Sequence, residues 1–156
     1  MSRAFTREDD SDGQIADIGE RPVSTHRNLV TASGLAQIDS AVNELREELA
    51  KAEADADRER IARVSRDLRY WSARRENAEL SEPEPGSEVV RFGMTVTVEG
   101  DDGKRKAWKI VGEDEADAAK GSVSHVSPMA LALFGKTVGE TATVNGKEWE
   151  IVKLEI

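Results

Sequence analysis

Between Leu35 and Glu82 the chain has neither glycine nor proline, and the first part of that stretch repeats apolar residues at helical spacing. Leu35, Ile38, Val42, Leu45, Leu49 and Ala52 are separated by three and four residues in alternation, the narrow seam of a coiled coil. Ser33 is placed to cap this helix. Continued without a break, the seam would fall on Ala56, Glu59, Arg63 and Arg66, which are mostly charged. The apolar residues instead resume at Ile61, Val64, Leu68 and Trp71, then reach Arg75 and Ala78. This loss of phase predicts a turn between Glu53 and Arg58. Two helices of about 20 residues, each roughly 30 Å long, would then form an antiparallel hairpin.

Charge agrees with that pairing. Asp39, Glu44, Glu47, Glu48 and Glu53 lie on the first helix; Arg58, Arg60, Arg63, Arg66, Arg69, Arg74 and Arg75 lie on the second. Acidic and basic edges side by side favour the hairpin, although each exposed pair contributes less than ~1 kcal/mol. The arginines have two readings: solvated pairing within the hairpin, or docking onto an acidic or phosphate-bearing partner.

Residues 1–30 are rich in Asp, Arg, Ser and Gly with scattered apolar residues, and are expected to be a disordered arm. The hairpin is expected over 31–82 and a Pro/Gly linker over 83–88. From residue 89 to 156 the apolar period changes to two. Thr95–Val98 and Ala107–Val111 flank a glycine-containing turn, and Thr141–Val144 and Glu148–Val152 flank Asn145-Gly146, a strong hairpin signal. Between the hairpins Ser127 is an N-cap, Pro128 a first helical residue and Gly135 a left-handed stop. Leu131 and Leu133 of this short helix are expected in the core. The fold class is α+β: a helical hairpin followed by an antiparallel sheet with one short helix.

Composition excludes several functions. The 156 residues include 31 acidic and 22 basic side chains, a net charge of −9, so nucleic acid is not held by bulk electrostatics. There is no cysteine, hence no disulfide and no thiolate metal site. No apolar run approaches the ~18 residues of a membrane span, and the amino terminus lacks an apolar signal region. A cytoplasmic monomer without membrane contact or independent nucleic-acid binding is expected.

Several motifs suggest chemistry. Ala130–Thr137 fits a loose phosphate loop and Asp114–Asp117 an acidic box, but the helix and strand stand on the wrong sides of Gly135 for phosphate binding. His26 and His125 are far apart, with no further imidazole for a metal cluster. At the hairpin turn Glu53, Asp55 and Asp57 are either solubilising or a weak Mg²⁺ site, since that ion takes carboxylate oxygens and keeps its waters.

The C-terminal motifs, in order, are Arg91–Val98, Lys109–Asp117, Ser127–Leu133 and Gly135–Glu140. Together they resemble the C-terminal domain of the bacterial Gre (GreA/GreB) transcription elongation factors. Asn28–Thr31 before a helix also resembles a Gre amino-terminal start. The resemblance implies a coiled-coil hairpin, an FKBP-like C-terminal domain and RNA polymerase as partner. In the family the C-terminal domain docks at the rim of the secondary channel, and acidic residues of the hairpin tip help hold the second Mg²⁺ for cleavage of backtracked RNA. Carried onto this chain, docking falls on Asp114, Glu115, Ala116, Asp117, Ser127, Pro128 and Met129, and the tip candidates are Asp55 and Asp57.

Two features depart from the family pattern. The hairpin is shorter, and the tip signature Gly-Asp-x-x-Glu-Asn-Ala is absent from the turn. Glu76-Asn77-Ala78 spells its centre, but at the base of the second helix, where it reads as helix surface. Short-hairpin relatives of the Rnk type bind polymerase without stimulating cleavage. The expectation is therefore a polymerase-binding elongation regulator, not itself an enzyme, that at most shares Mg²⁺ with the polymerase active site. The alternatives are a cleavage-stimulating factor acting through the tip, or an interaction module with another partner. A prolyl isomerase would need Phe92, Trp108, Phe134 and Trp149 to line one pocket.

Overall fold

The computed structural model describes residues 18–156. The chain divides into two compact units. One holds the described residues through Thr25 together with Ile38–Asn77, the other His26–Gln37 together with Ala78–Ile156.

The helical hairpin is formed by α1 (Ala32–Ala54) and α2 (Arg58–Glu76). Ile38, Val42 and Ala52 of α1 and Val64 of α2 are buried, so the seam lies on the face its spacing predicts. Phase is lost where expected, at a turn over Asp55–Asp57. Ala56 takes a left-handed φ of 51° there, and Asp57 caps α2 by accepting from the Arg60 amide at 3.2 Å. Opposite charges meet across the hairpin: Arg75 donates to Asp39, and Arg60 lies 3.5 Å from Glu48.

Three details of the hairpin differ from expectation. The cap of α1 is Thr31, not Ser33: its hydroxyl accepts from the Gly34 amide at 3.0 Å. The seam reaches Arg74, which is 1% exposed, while Arg75 is exposed. A step of three from Trp71 stays on the same face as well as a step of four does. And α2 stops at Glu76, before the expected seam position Ala78, which opens a strand instead.

Of the arm expected to be disordered, residues 1–17 lie outside the described residues. Residues 18–30 make specific contacts. Arg69 grips the Glu20 carboxylate through Nε at 2.9 Å and a terminal nitrogen. Arg21 lies 4.0 Å over the Tyr70 ring and 3.4 Å from Asp67. Asn28–Val30 is a strand. Apolar periodicity detects neither anchor, because ion pairs, a cation–π contact and a three-residue strand leave no such pattern.

The Arg69 guanidinium holds the Glu20 carboxyl below its ordinary value. The lowered value means this contact favours the docked segment above the usual carboxylate range and is lost as pH falls through the shifted value. Amide protection at residues 18–25, taken relative to the intrinsic exchange rate at each pH, is expected to fall over that acidic window, and unchanged protection there would show that the pair does not hold the segment.

In the second unit β1 (Asn28–Val30) pairs in parallel with β2 (Ala78–Leu80), and Arg27 donates to Glu79 beside them. A five-stranded sheet follows: β3 (Thr95–Gly100), β4 (Arg105–Val111), β5 (Ser122–Ser124), β6 (Thr141–Val144) and β7 (Lys147–Glu155), in the order β5-β4-β3-β7-β6. Both predicted hairpins form, and the second turns on Asn145 and Gly146 with φ of 51° and 78°. The sheet is mixed rather than wholly antiparallel, because a 3₁₀ turn (Ala118–Lys120) returns the chain so that β5 runs parallel to β4.

Alternation puts Val96 and Val98 of β3 inside with Ile110 and Ile151. Helix α3 (Pro128–Leu133) adds Ala130 and Leu133 to this core, but Leu131 is exposed, contrary to expectation. Among the described residues no helix is long and apolar enough to cross a membrane.

Candidate functional site

The hairpin tip carries exposed carboxylates, but they do not converge. Asp57 is spent on capping α2, and Asp55 lies 3.7 Å from the Arg60 guanidinium. Among the described residues no three His, Asp or Glu side chains come together as a metal-ligand set. Glu53, Asp55 and Asp57, considered as a weak Mg²⁺ site, are thus spread over the turn rather than gathered at one point. Asp57 serves the start of α2 through its side chain, whereas Glu53 lies in the last turn of α1, where its backbone carbonyl accepts from the Ala56 amide.

Glu76-Asn77-Ala78 has a structural explanation. Asn77 is the C-cap of α2, its amide donating to the carbonyls of Ala73 and Arg75, and Ala78 opens β2. The match to the family's tip letters thus falls on a helix end followed by a strand.

The loop Asp114–Asp117 is half-buried along its length. Glu115 turns inward. Its carboxylate accepts from the amides of Thr31 at 3.2 Å and Gly112 at 3.1 Å, and from the Thr31 hydroxyl. That hydroxyl simultaneously caps α1. A negative charge therefore sits at the N-terminus of α1, where the helix dipole favours it. A Cβ on Gly34 would fall 2.2 Å from the Glu115 side chain, so this first turn needs glycine for the carboxylate to approach. Asp117 is also engaged, capping the 3₁₀ turn through the Ala119 amide at 3.1 Å.

Next along the chain, the Ser127 hydroxyl accepts from Ala130 N at 3.2 Å, Pro128 is exposed, and Met129 packs against the core. Pro128 and Leu131 leave an outward surface on α3. His125 follows the end of β5 and is buried beside Phe92, with ring centroids 5.6 Å apart. Phe92 is itself a core residue, and Trp108, Phe134 and Trp149 pack against the core rather than lining an open aromatic pocket.

The sequence reading missed the Thr31–Glu115 cluster. A strand start at Asn28–Val30 was a usable signal, but nothing local distinguishes Glu115 from its acidic neighbours.

A family model described as transcription elongation factor, GreA/GreB, C-term, matches residues 84–156. Over 73 residues the chain is 49% identical to transcription elongation factor GreA of Bradyrhizobium diazoefficiens, covering 44% of this chain and 46% of the relative. It is 43% identical over 74 residues to GreA of Hyphomonas neptunium, covering 44% and 47%. The chain thus spans about half the length of the relatives it matches. Among solved structures, GreA factor homolog 1 (Gfh1) of Thermus thermophilus aligns at 21% identity and a TM-score of 0.42, covering 84% of this chain and 100% of that one. GreA/GreB of Nitrosomonas europaea aligns at 16% identity and 0.40, covering 83% and 99%. Residues 84–156 are thus similar to the C-terminal domain of the GreA/GreB family.

Proposed function

We propose that this chain binds RNA polymerase and regulates transcription elongation without efficient stimulation of transcript cleavage. The identity across residues 84–156 carries the polymerase reading, because it lies in the domain the family uses for docking. On this reading the docking surface comprises the outer side of the Asp114–Asp117 loop and Ser127, Pro128 and Met129. Glu115 contributes indirectly, by fixing the loop. The chain is not itself an enzyme: cleavage, where it occurs, would be the polymerase's own.

The tip supports the non-cleaving form, since Asp57 is a cap and Asp55 faces an arginine. One observation favours the other form. The Asp55 side chain is 69% exposed and remains able to leave Arg60 for another partner.

Binding to core polymerase and RNA shortening in backtracked complexes decide the matter together. The expected result is binding at moderate salt, with RNA shortening within about twofold of the polymerase alone. Rapid shortening that disappears in Asp55→Ala/Asp57→Ala would establish the cleaving form. Absence of binding would remove polymerase as the partner.

A further inference from the structure

Helix α2 is locally basic within an acidic chain: it holds seven arginines and three acidic residues, against a net charge of −9 overall. Two of its arginines, Arg66 and Arg69, line a shallow groove together with Ala62 and Ser65, and Ile18, Gly19 and Glu20 complete its wall. The Glu20 carboxylate is held by Arg69, and Arg21 is fixed over Tyr70 and beside Asp67. Arg66 meets the same Asp67 carboxylate at 3.2 Å. An irregular segment bearing a carboxylate is thus held against the arginines of α2.

We propose that residues 18–25 form a displaceable strap over the arginine face of α2, and that this face receives an acidic, extended segment of RNA polymerase once the strap leaves. The inference rests on the polymerase reading above. The strap itself shows what this face accepts: an irregular protein segment with a carboxylate on Arg69. A protein segment fits this better than nucleic acid, which the chain's overall negative charge repels.

The strap's attachment is suited to release. Arg69 and Glu20 are 57% and 64% exposed at their side chains, so the pair is solvated and weakened by salt. The arginine face is available only in the fraction of molecules whose strap is open, and apparent affinity falls by that fraction. The strap is therefore a built-in competitor, strongest at low ionic strength.

The test compares the full chain with its Glu20→Ala/Arg21→Ala variant, in binding to core RNA polymerase at low and moderate salt. Amide exchange at residues 18–25 verifies that the strap is released. The variant is expected to bind roughly five- to tenfold more tightly at low salt, with the difference shrinking as salt rises. Adding Arg69→Glu to the variant should remove the gain. Equal or weaker binding by a variant whose strap has been released overturns the strap while leaving the polymerase reading intact. No binding by either chain overturns that reading and the strap with it. Tight binding of the variant to single-stranded RNA alone would show that the face takes phosphate rather than a protein carboxylate, and would also overturn the proposal.

Discussion

Replacing Glu115 with alanine is expected to destabilise the unit formed by residues 26–37 and 78–156 by about 2–3 kcal/mol, because a charged acceptor serving several donors is lost at once. The amides of Thr31 and Gly112 and the Thr31 hydroxyl all converge on its carboxylate. Thr31 is buried, so its donors gain little water in exchange. The cap of α1 is loosened too, because the hydroxyl that accepts from Gly34 is oriented by the same carboxylate. Gly34 supplies a sharper form of the prediction. In an ordinary helix Gly→Ala is stabilising by up to ~1 kcal/mol. Here the added Cβ would stand 2.2 Å from Glu115 Cδ and 2.3 Å from Oε2, so the carboxylate must leave its donors. Gly34→Ala is therefore expected to cost about 2 kcal/mol in the parent chain and to become neutral or stabilising in the Glu115→Ala background. Urea unfolding of the two single variants and the double variant measures this. A stabilising Gly34→Ala in the parent would mean that Glu115 does not pack against the helix start.

The hairpin was legible because its information is periodic. Burial at Ile38, Val42, Ala52 and Val64 follows directly from the spacing, and the turn falls where the two phases fail to join. The Asn145-Gly146 turn and the Ser127-Pro128 helix start were legible for a different reason, since each is specified by two or three adjacent residues with fixed backbone preferences. What escaped was interaction between residues distant in sequence. Thr31 and Glu115 are separated by 84 positions, and Glu20 and Arg69 by 49, so neither pairing leaves a local trace. The cap of α1 was misplaced for the same reason: Ser33 and Thr31 are comparable candidates until Glu115 is seen to hold Thr31. The parallel β1–β2 and β4–β5 pairings likewise depend on where the chain returns, which alternation within a strand does not encode. At the tip the acidic letters were visible, but their use as a cap and an ion-pair partner required coordinates.

Helix α3 offers the second large effect, and it separates core from surface within three residues. Leu133 is fully buried with Val96, Val98 and Ile151, whereas Leu131 is 63% exposed. Leu133→Ala removes apolar volume from a close-packed site that can relax only in part, and is expected to cost about 2–5 kcal/mol. Leu131→Ala removes the same atoms from solvent contact and is expected to change stability by less than ~0.5 kcal/mol. Because α3 spans only Pro128–Leu133, a general loss of helix propensity would affect the two positions alike, and alanine is the better helix former at both. A difference between the variants therefore reports burial alone. Thermal unfolding of both, followed by polymerase binding of Leu131→Ala at its undiminished stability, distinguishes the part of α3 that holds the fold from the part available to a partner. Equal destabilisation by the two substitutions would place Leu131 in the core after all and remove the outward side of α3 from the docking surface.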